Sequence, residues 1–171
     1  WRYNFHEKHR MELAAGYDMY RYATYDKYNP VNSYEMTFSI QQVYSKLKFK
    51  SLLGKDHTLT YGVDAIGYDL SPGSYLPYGE ESLVVPDILP KENAIEASAY
   101  LSHSWNVSEK FFMDYGLRYS LFTTKGKTYH HPEIRVSGRV MITDNVSFKA
   151  GFNSLTQYIH MLSNTTTMSP T

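Results

Sequence analysis

Seven stretches of the chain alternate apolar and polar residues with a period of two, and most of them are ten or more residues long. They cover residues 11–20, 43–53, 58–65, 95–105, 111–121, 133–142 and 146–153. Successive side chains of a β-strand point to opposite faces of the sheet, whereas an amphipathic helix repeats every 3.6 residues. The pattern therefore predicts strands with one apolar and one polar face, and residues 1–5 look like the end of an eighth strand.

The polar faces of these strands carry many charges. In the stretch that starts at Phe111 the odd positions are apolar as far as Leu121, while the even positions include Asp114, Gly116 and Arg118. Over all seven stretches the charged residues of the polar faces are Glu12, Asp18, Lys46, Lys48, Lys50, Asp64, Glu96, Asp114, Arg118, Glu133, Arg135, Arg139 and Lys149.

Short and long connections alternate along the chain. Residues 6–9, 54–56, 106–110 and 143–145 form the short ones, residues 26–35, 71–93 and 124–132 form the long ones, and the chain ends at the place of a fourth long one. Bacterial transmembrane barrels have short periplasmic turns and long extracellular loops, and their strands need about 9–11 residues. The pattern predicts an all-β fold: an antiparallel transmembrane β-barrel, present in part, with about seven to eight strands of a larger wall.

A soluble barrel resembling the lipocalins is the main alternative, because it also alternates, with its apolar face turned inward. Strand length and the difference between the two rims favour the membrane. So do the aromatic residues near the expected strand ends, since Tyr and Trp are enriched at membrane interfaces. These are Tyr17, Tyr20, Tyr22, Trp105, Phe111 and Phe112.

Composition narrows the function classes. The 171 residues contain 17 Lys and Arg, 17 Asp and Glu, 17 Tyr and no Cys. A net charge of zero argues against nucleic acid as a partner, and without Cys there is no thiolate metal site and no thiol nucleophile. The chain does not begin with Met and has no signal peptide, so we expect a piece of one barrel domain that continues at both ends.

Four glycines share the polar faces of strands that follow short turns: Gly16, Gly62, Gly116 and Gly151. Glycine inside a strand often marks a close approach of another backbone. The glycines could make room for a plug inside the barrel, or they could serve local curvature of the sheet. The sequence leaves both readings open.

Several segments resemble the barrel strands of TonB-dependent outer-membrane transporters, in particular their Bacteroidetes branch. The segments are Tyr115-Gly-Leu-Arg-Tyr-Ser120, Glu133-Ile-Arg-Val-Ser-Gly-Arg139 and Phe148-Lys-Ala-Gly-Phe-Asn-Ser-Leu-Thr-Gln-Tyr-Ile-His-Met-Leu-Ser-Asn164, followed by Ser169-Pro-Thr171. The resemblance covers the barrel alone, without the plug domain or the segment that contacts TonB. It implies import of a nutrient across the outer membrane of a Gram-negative bacterium by gating of the plug.

The resemblance also implies partners and contacts. The partners are outer-membrane lipid, TonB acting through a plug domain, and a surface lipoprotein as a further candidate. The expected lumenal contacts with the plug are Arg118, Arg135, Arg139, Asp114 and Lys149. A passive or structural outer-membrane barrel in a larger surface complex remains the alternative.

The expected extracellular loops carry the candidate ligand contacts, which are Tyr75, Tyr78, Glu80, Glu81, Tyr129 and His130. Loops often carry binding residues. His130 and His131 are adjacent, so on a strand they would point to opposite faces and chelate a metal poorly. No nucleophile elbow, paired catalytic base, calcium-loop spacing, Gly-rich phosphate loop or His-Glu metal motif appears, so we expect neither an enzyme nor a bound cofactor.

Overall fold

The computed structural model describes residues 1–158, and within them the chain forms nine β-strands and one short 3-10 turn, Pro30–Asn32. The strands are β1 (Arg2–His6), β2 (His9–Asp26), β3 (Tyr34–Leu52), β4 (His57–Pro77), β5 (Asp87–Ile88), β6 (Glu92–Ser108), β7 (Phe111–Thr124), β8 (Lys127–Thr143) and β9 (Val146–Asn153). No helix in this part of the chain is long and apolar enough to cross a membrane.

All neighbouring strands are antiparallel, and the order in the sheet is β1-β2-β3-β4-β6-β7-β8-β9. β5 pairs with the C-terminal part of β4, beyond the residues that pair with β6. We call this end of the sheet the upper rim and the opposite end the lower rim. β1 and β9 lie at the two edges, so the sheet is not closed. The predicted all-β fold and antiparallel order are confirmed, together with the seven strands and the eighth at the N-terminus.

The strands are longer than predicted, and this corrects the predicted loops. β4 extends to Pro77, so Tyr75 lies on a strand and not in the loop expected over residues 71–93. β7 and β8 are joined by Lys125 and Gly126 alone, both with positive φ, as in a two-residue type I′ hairpin. The long loop expected over residues 124–132 is therefore wrong, and the alternation of short and long connections fails there.

Pro132 is the last residue of the loop that was expected over residues 124–132. Proline removes a backbone N–H and is found in edge strands or bulges. Pro132 lies opposite Tyr119 of β7, whereas β9 pairs with β8 only from Arg135 onward. β8 is thus an edge strand at Pro132 and tolerates it. The polar C-terminal stretch and the Ser169-Pro170-Thr171 step lie outside the described residues.

Exposure alternates along the strands in the opposite sense to a soluble barrel. In β4, Val63 is 51% exposed and its neighbour Asp64 only 9%. The second half of β7 alternates in the same way, with Leu117 exposed and Ser120 1% exposed, whereas all of β9 is exposed. We call the exposed side, which carries the odd positions of β4, the apolar face, and the other side the polar face. The apolar interior expected of a lipocalin-like barrel is absent from residues 1–158.

The strands are staggered. Through the register, His9 of β2 is level with Ser51, Leu59, His103, Tyr115, Val136 and finally Phe152 of β9. β9 begins at Val146, six residues below Phe152, so over the six steps from β2 to β9 the lower ends shift by one residue per strand on average. With about 3.3 Å per residue and about 4.8 Å between strands, the tilt is about 35°, as in β-barrels.

The apolar face contains a continuous band without Asp, Glu, Lys or Arg. On the apolar-face positions it covers residues 11–19 of β2, 43–51 of β3, 59–67 of β4, 95–105 of β6, 111–121 of β7 and 132–142 of β8, which is 9–11 residues in each of these strands. At a tilt of about 35° such stretches span about 24–30 Å. On β4 the band ends between His57 below and Asp69 above.

The four glycines of the polar face divide into two pairs. A Cβ atom on Gly16 would overlap the ring of Tyr44, and one on Gly62 would overlap Tyr100 and the carbonyl of Leu47. The absence of a side chain at these glycines makes room for tyrosine rings of the neighbouring strands. The rings in turn cover the glycine backbone, which would otherwise be exposed. A Cβ atom on Gly116 or Gly151 would lie 3.0–3.1 Å from atoms of the adjacent strand, so close strand packing explains these positions.

Candidate functional site

An ion-pair cluster occupies the middle of the polar face. Arg118 Nη1 of β7 lies 3.0 Å from Asp64 Oδ2 of β4, and Arg118 Nε lies 4.0 Å from Glu133 Oε2 of β8. The guanidinium is 6.0 Å from the centre of the Tyr100 ring, which belongs to the intervening strand β6. The cluster therefore connects four strands, and both carboxylates are buried.

Asp114 is also engaged within the sheet. Ser104 Oγ of β6 donates a hydrogen bond of 2.5 Å to Asp114 Oδ2. Arg118 and Asp114, two of the predicted contacts with a plug, thus have partners in the wall itself. The structure gives them a role in holding strands together, whatever else they contact.

The other three predicted contacts differ in this respect. Arg139 of β8 and Lys149 of β9 lie directly opposite each other on the polar face, and Arg135 lies four residues further along β8, level with Asn153. None of the three takes part in an ion pair among residues 1–158. Like charges directly opposite in a sheet repel each other. We call Arg135, Arg139 and Lys149 the cationic patch.

Two buried polar atoms of the central cluster lack a hydrogen-bond partner within the described part of the chain. They are Asp64 Oδ1 and Ser98 Oγ, which belong to residues directly opposite each other on β4 and β6. Leaving a buried polar atom unpaired costs about 1–3 kcal/mol.

The predicted ligand contacts of the longest loop lie at the upper rim. The Tyr75 ring packs on Tyr34 at 4.8 Å between centroids. The Tyr78 ring meets Tyr25 edge-on at 5.6 Å and lies under Lys27 Nζ at 4.4 Å. These contacts, together with the hydrogen bond of 3.1 Å from Tyr78 N to Ser33 O, fasten the loop to the adjacent connection.

Glu80 and Glu81 follow Tyr78 in a turn, and their side chains are exposed. They carry two negative charges at the upper rim and directly follow Tyr78, whose ring contacts Lys27. Their exposure leaves them accessible to a ligand from outside the sheet.

Tyr129 and His130 do not join this group. Both lie on β8, which two strands separate from β4, and they point to opposite faces. His130 Nδ1 is 3.0 Å from the Tyr119 hydroxyl on the apolar face, whereas Tyr129 lies opposite Phe122 on the polar face. Their placement in an extracellular loop was wrong, since the hairpin at Lys125 and Gly126 leaves no loop there. No group of three or more His, Asp and Glu side chains in residues 1–158 could hold a metal ion.

One side-chain cluster escaped the sequence analysis. At the lower edge of the apolar face His57 Nδ1 lies 3.1 Å from His103 Nε2, and His103 Nδ1 lies 2.7 Å from the Tyr115 hydroxyl. The His57 ring also stacks on Trp105 at 5.5 Å. Alternation placed His103 and Trp105 on the apolar face, but only the strand register brings His57 and Tyr115 beside them.

No family model matches the chain, and no curated protein matches it.

Proposed function

We propose that this chain forms part of the wall of a transmembrane β-barrel in a bacterial outer membrane. The observation that carries the proposal is the distribution of exposure over the two faces. The apolar face is exposed, and the buried carboxylates of Asp64 and Glu133 lie on the polar face. Large exposed apolar patches mark surfaces that meet another apolar phase. A face of this kind, on an antiparallel sheet, fits contact with lipid.

The dimensions of the apolar band support the same proposal. Transmembrane barrels carry an outward apolar band about 25 Å tall on strands tilted about 35–45°. The band here, with 9–11 residues per strand and a tilt of about 35°, falls in this range. The cluster of His57, His103, Tyr115 and Trp105 at its lower edge fits the aromatic girdle of such barrels.

We propose further that the barrel is that of a TonB-dependent transporter, which imports a nutrient when TonB acts on a plug domain. The cationic patch supports this step, because three cations without ion-pair partners on the lumenal face suit an acidic surface of a plug. The acidic, tyrosine-rich upper rim around Tyr78, Glu80 and Glu81 is then placed to contact the ligand from outside.

Single cysteines can test the membrane wall, because the chain has none of its own. Val63→Cys and Leu117→Cys place a thiol on the apolar face, and Lys149→Cys places one on the polar face. Each variant of the native polypeptide would be labelled with bimane and reconstituted in vesicles with nitroxide-labelled phospholipid. We expect quenching at Val63 and Leu117 and none at Lys149. Equal quenching at all three positions, or none, would overturn the proposal.

Peptide-mapping mass spectrometry of the native polypeptide tests the transporter step. A plug domain ahead of residue 1 is the expected result. A barrel without a plug would leave a passive or structural outer-membrane barrel as the function.

A further inference from the structure

A row of hydrogen bonds runs along the lower edge of the apolar face. The Tyr115 hydroxyl of β7 lies 2.7 Å from His103 Nδ1 of β6, and His103 Nε2 lies 3.1 Å from His57 Nδ1 of β4. The His57 ring stacks on the ring of His103 at 5.2 Å and on that of Trp105 at 5.5 Å. These contacts together fix the orientation of the His57 imidazole.

The direction of this row follows from the chemistry of its members. A neutral imidazole has one N–H donor and one acceptor nitrogen, so the two bonds run either from Tyr115 to His57 or the other way. A phenol oxygen is a weak acceptor because its lone pair is delocalised into the ring, so Tyr115 donates to His103 and His103 donates to His57. His57 then carries its own hydrogen on Nε2, which makes no hydrogen bond among residues 1–158.

A second donor lies beside His57. The Trp105 indole N–H has no hydrogen-bond partner in the described part of the chain, and neither this nitrogen nor His57 Nε2 is fully buried. The adjacent turn between β3 and β4 contains Lys55 and Asp56, which are exposed and outside the ion pairs of the described residues. Two N–H donors near a lysine suit a phosphate group.

These donors stand where the apolar band ends. On β4 the band begins directly above His57, and exposed apolar side chains of Tyr61, Leu101 and Leu117 form a row across the sheet above the cluster. In the proposed wall, acyl chains give way to headgroups at this edge. A phospholipid whose tails lie on the band therefore brings its phosphate to the two donors.

We propose that His57 and Trp105 form a binding site for the headgroup phosphate of a glycerophospholipid. This inference rests on the proposed barrel wall, since only there does the edge meet lipid. Tyr115 is a positioning residue, because it acts on the phosphate only by setting the direction of the hydrogen bonds. Lys55 and Asp56 together add no net charge, so a zwitterionic headgroup such as phosphatidylethanolamine is a suitable probe.

Native mass spectrometry of the whole native polypeptide with dioleoyl phosphatidylethanolamine tests the site. His57→Phe keeps a flat ring to stack on Trp105 but removes the Nε2 donor, and the dissociation constant of the tightest lipid should rise about tenfold. His57→Gln keeps an amide donor and should recover part of the affinity. Tyr115→Phe should weaken binding severalfold. His9→Phe is the matched control, because His9 lies on the same edge but bonds to Ser51.

Two further probes separate the lipid from its parts. Dioleoylglycerol, which has the same acyl chains without phosphate, should bind more weakly and equally to all variants. Glycerophosphoethanolamine, the headgroup without chains, should not displace the lipid; displacement would reveal a site for free phosphate esters and overturn the lipid assignment. Unchanged affinity of His57→Phe would overturn the site itself. Lipid quenching at Val63 reads the barrel wall independently, so a failed headgroup site and a failed wall give different results.

Discussion

Arg118 of β7 forms an ion pair with Asp64 of β4 although β6 lies between them, with 3.0 Å between Nη1 and Oδ2. Adjacent strands are about 4.8 Å apart, so the Arg118 side chain must extend over the whole width of β6 to reach the carboxylate. The Tyr100 ring of β6 lies beneath the guanidinium. This pair supplies a side-chain connection between strands that the backbone ladder does not join.

Removing the guanidinium should destabilise the sheet. Arg118→Met leaves the buried carboxylate of Asp64 without its partner, and we expect a loss of about 2 kcal/mol, because Arg118 is partly exposed and the pair partly solvated. Thermal unfolding in detergent measures the loss. Arg2→Met is the control, since Arg2 pairs with Glu12 at an exposed position and should have no measurable effect. The double variant Asp64→Asn with Arg118→Met should recover part of the stability.

A charge on the apolar face distinguishes lipid from water around the sheet. Val63→Lys lies in the middle of the band on β4, where lysine at the bilayer midplane costs about 2–4 kcal/mol. At a half-exposed position in water the same change would stay within about 0.5 kcal/mol. Folding titrations with vesicles measure the difference. Val31→Lys, in the connection above the band, should be neutral in either environment. A neutral Val63→Lys would contradict the lipid-facing wall.

Charge reversal in the cationic patch should separate transport from folding. Arg139→Glu turns the repulsive pair with Lys149 into an attractive one, so the stability of the wall should stay the same or rise. Contact with an acidic plug surface would be lost, and we expect uptake of the ligand to fall about tenfold or more. Lys91→Glu, at an exposed position between β5 and β6, is the matched charge reversal away from the patch. Normal uptake by Arg139→Glu would count against a plug contact here.

Substitution of the polar-face glycines should follow what each one meets. Gly62→Ala would overlap the backbone carbonyl of Leu47 and should cost about 1–3 kcal/mol. Gly16→Ala meets only the far end of the Tyr44 ring, so its cost should be smaller and should be relieved by Tyr44→Ala. Gly67→Ala, on the apolar face of β4, is the control: its Cβ would meet nothing within 4 Å, so the change should be neutral or slightly stabilising. Heat-modifiable migration on gels gives the order of stability of the three variants. Equal losses of stability at Gly16, Gly62 and Gly67 would contradict the role of Gly16 and Gly62 in making room for tyrosine rings.

The sequence predicts the strands and their faces because a period of two is a local property of the chain. Val63 and Asp64 are assigned to opposite faces from their neighbours alone, and the structure agrees. The failures arise where local signals are ambiguous. Gly126 and Pro132 are both typical of loops. In the structure, positive φ at Lys125 and Gly126 makes a tight turn between β7 and β8, and Pro132 is tolerated because β8 is an edge strand at that position.

Contacts between strands lie beyond such local signals. Arg118 and Asp64 are 54 positions apart, and their pairing follows from a register that no single strand specifies. The His57 and His103 contact arises in the same way. The stacking of Tyr158 on Phe122 is likewise beyond local signals, because the backbone leaves the edge of the sheet after β9 and crosses β8.

The stagger of one residue per strand also sets the width of any tube that this wall could enclose. At a tilt of about 35° each strand occupies about 5.9 Å of circumference. The eight strand positions from β1 to β9 therefore cover about 47 Å, and a ring of that size would be about 15 Å across between backbones. Side chains such as Tyr44, Tyr100 and Arg118 would fill such a ring completely. A wall of this slope needs many more strands before its bore can hold a folded domain.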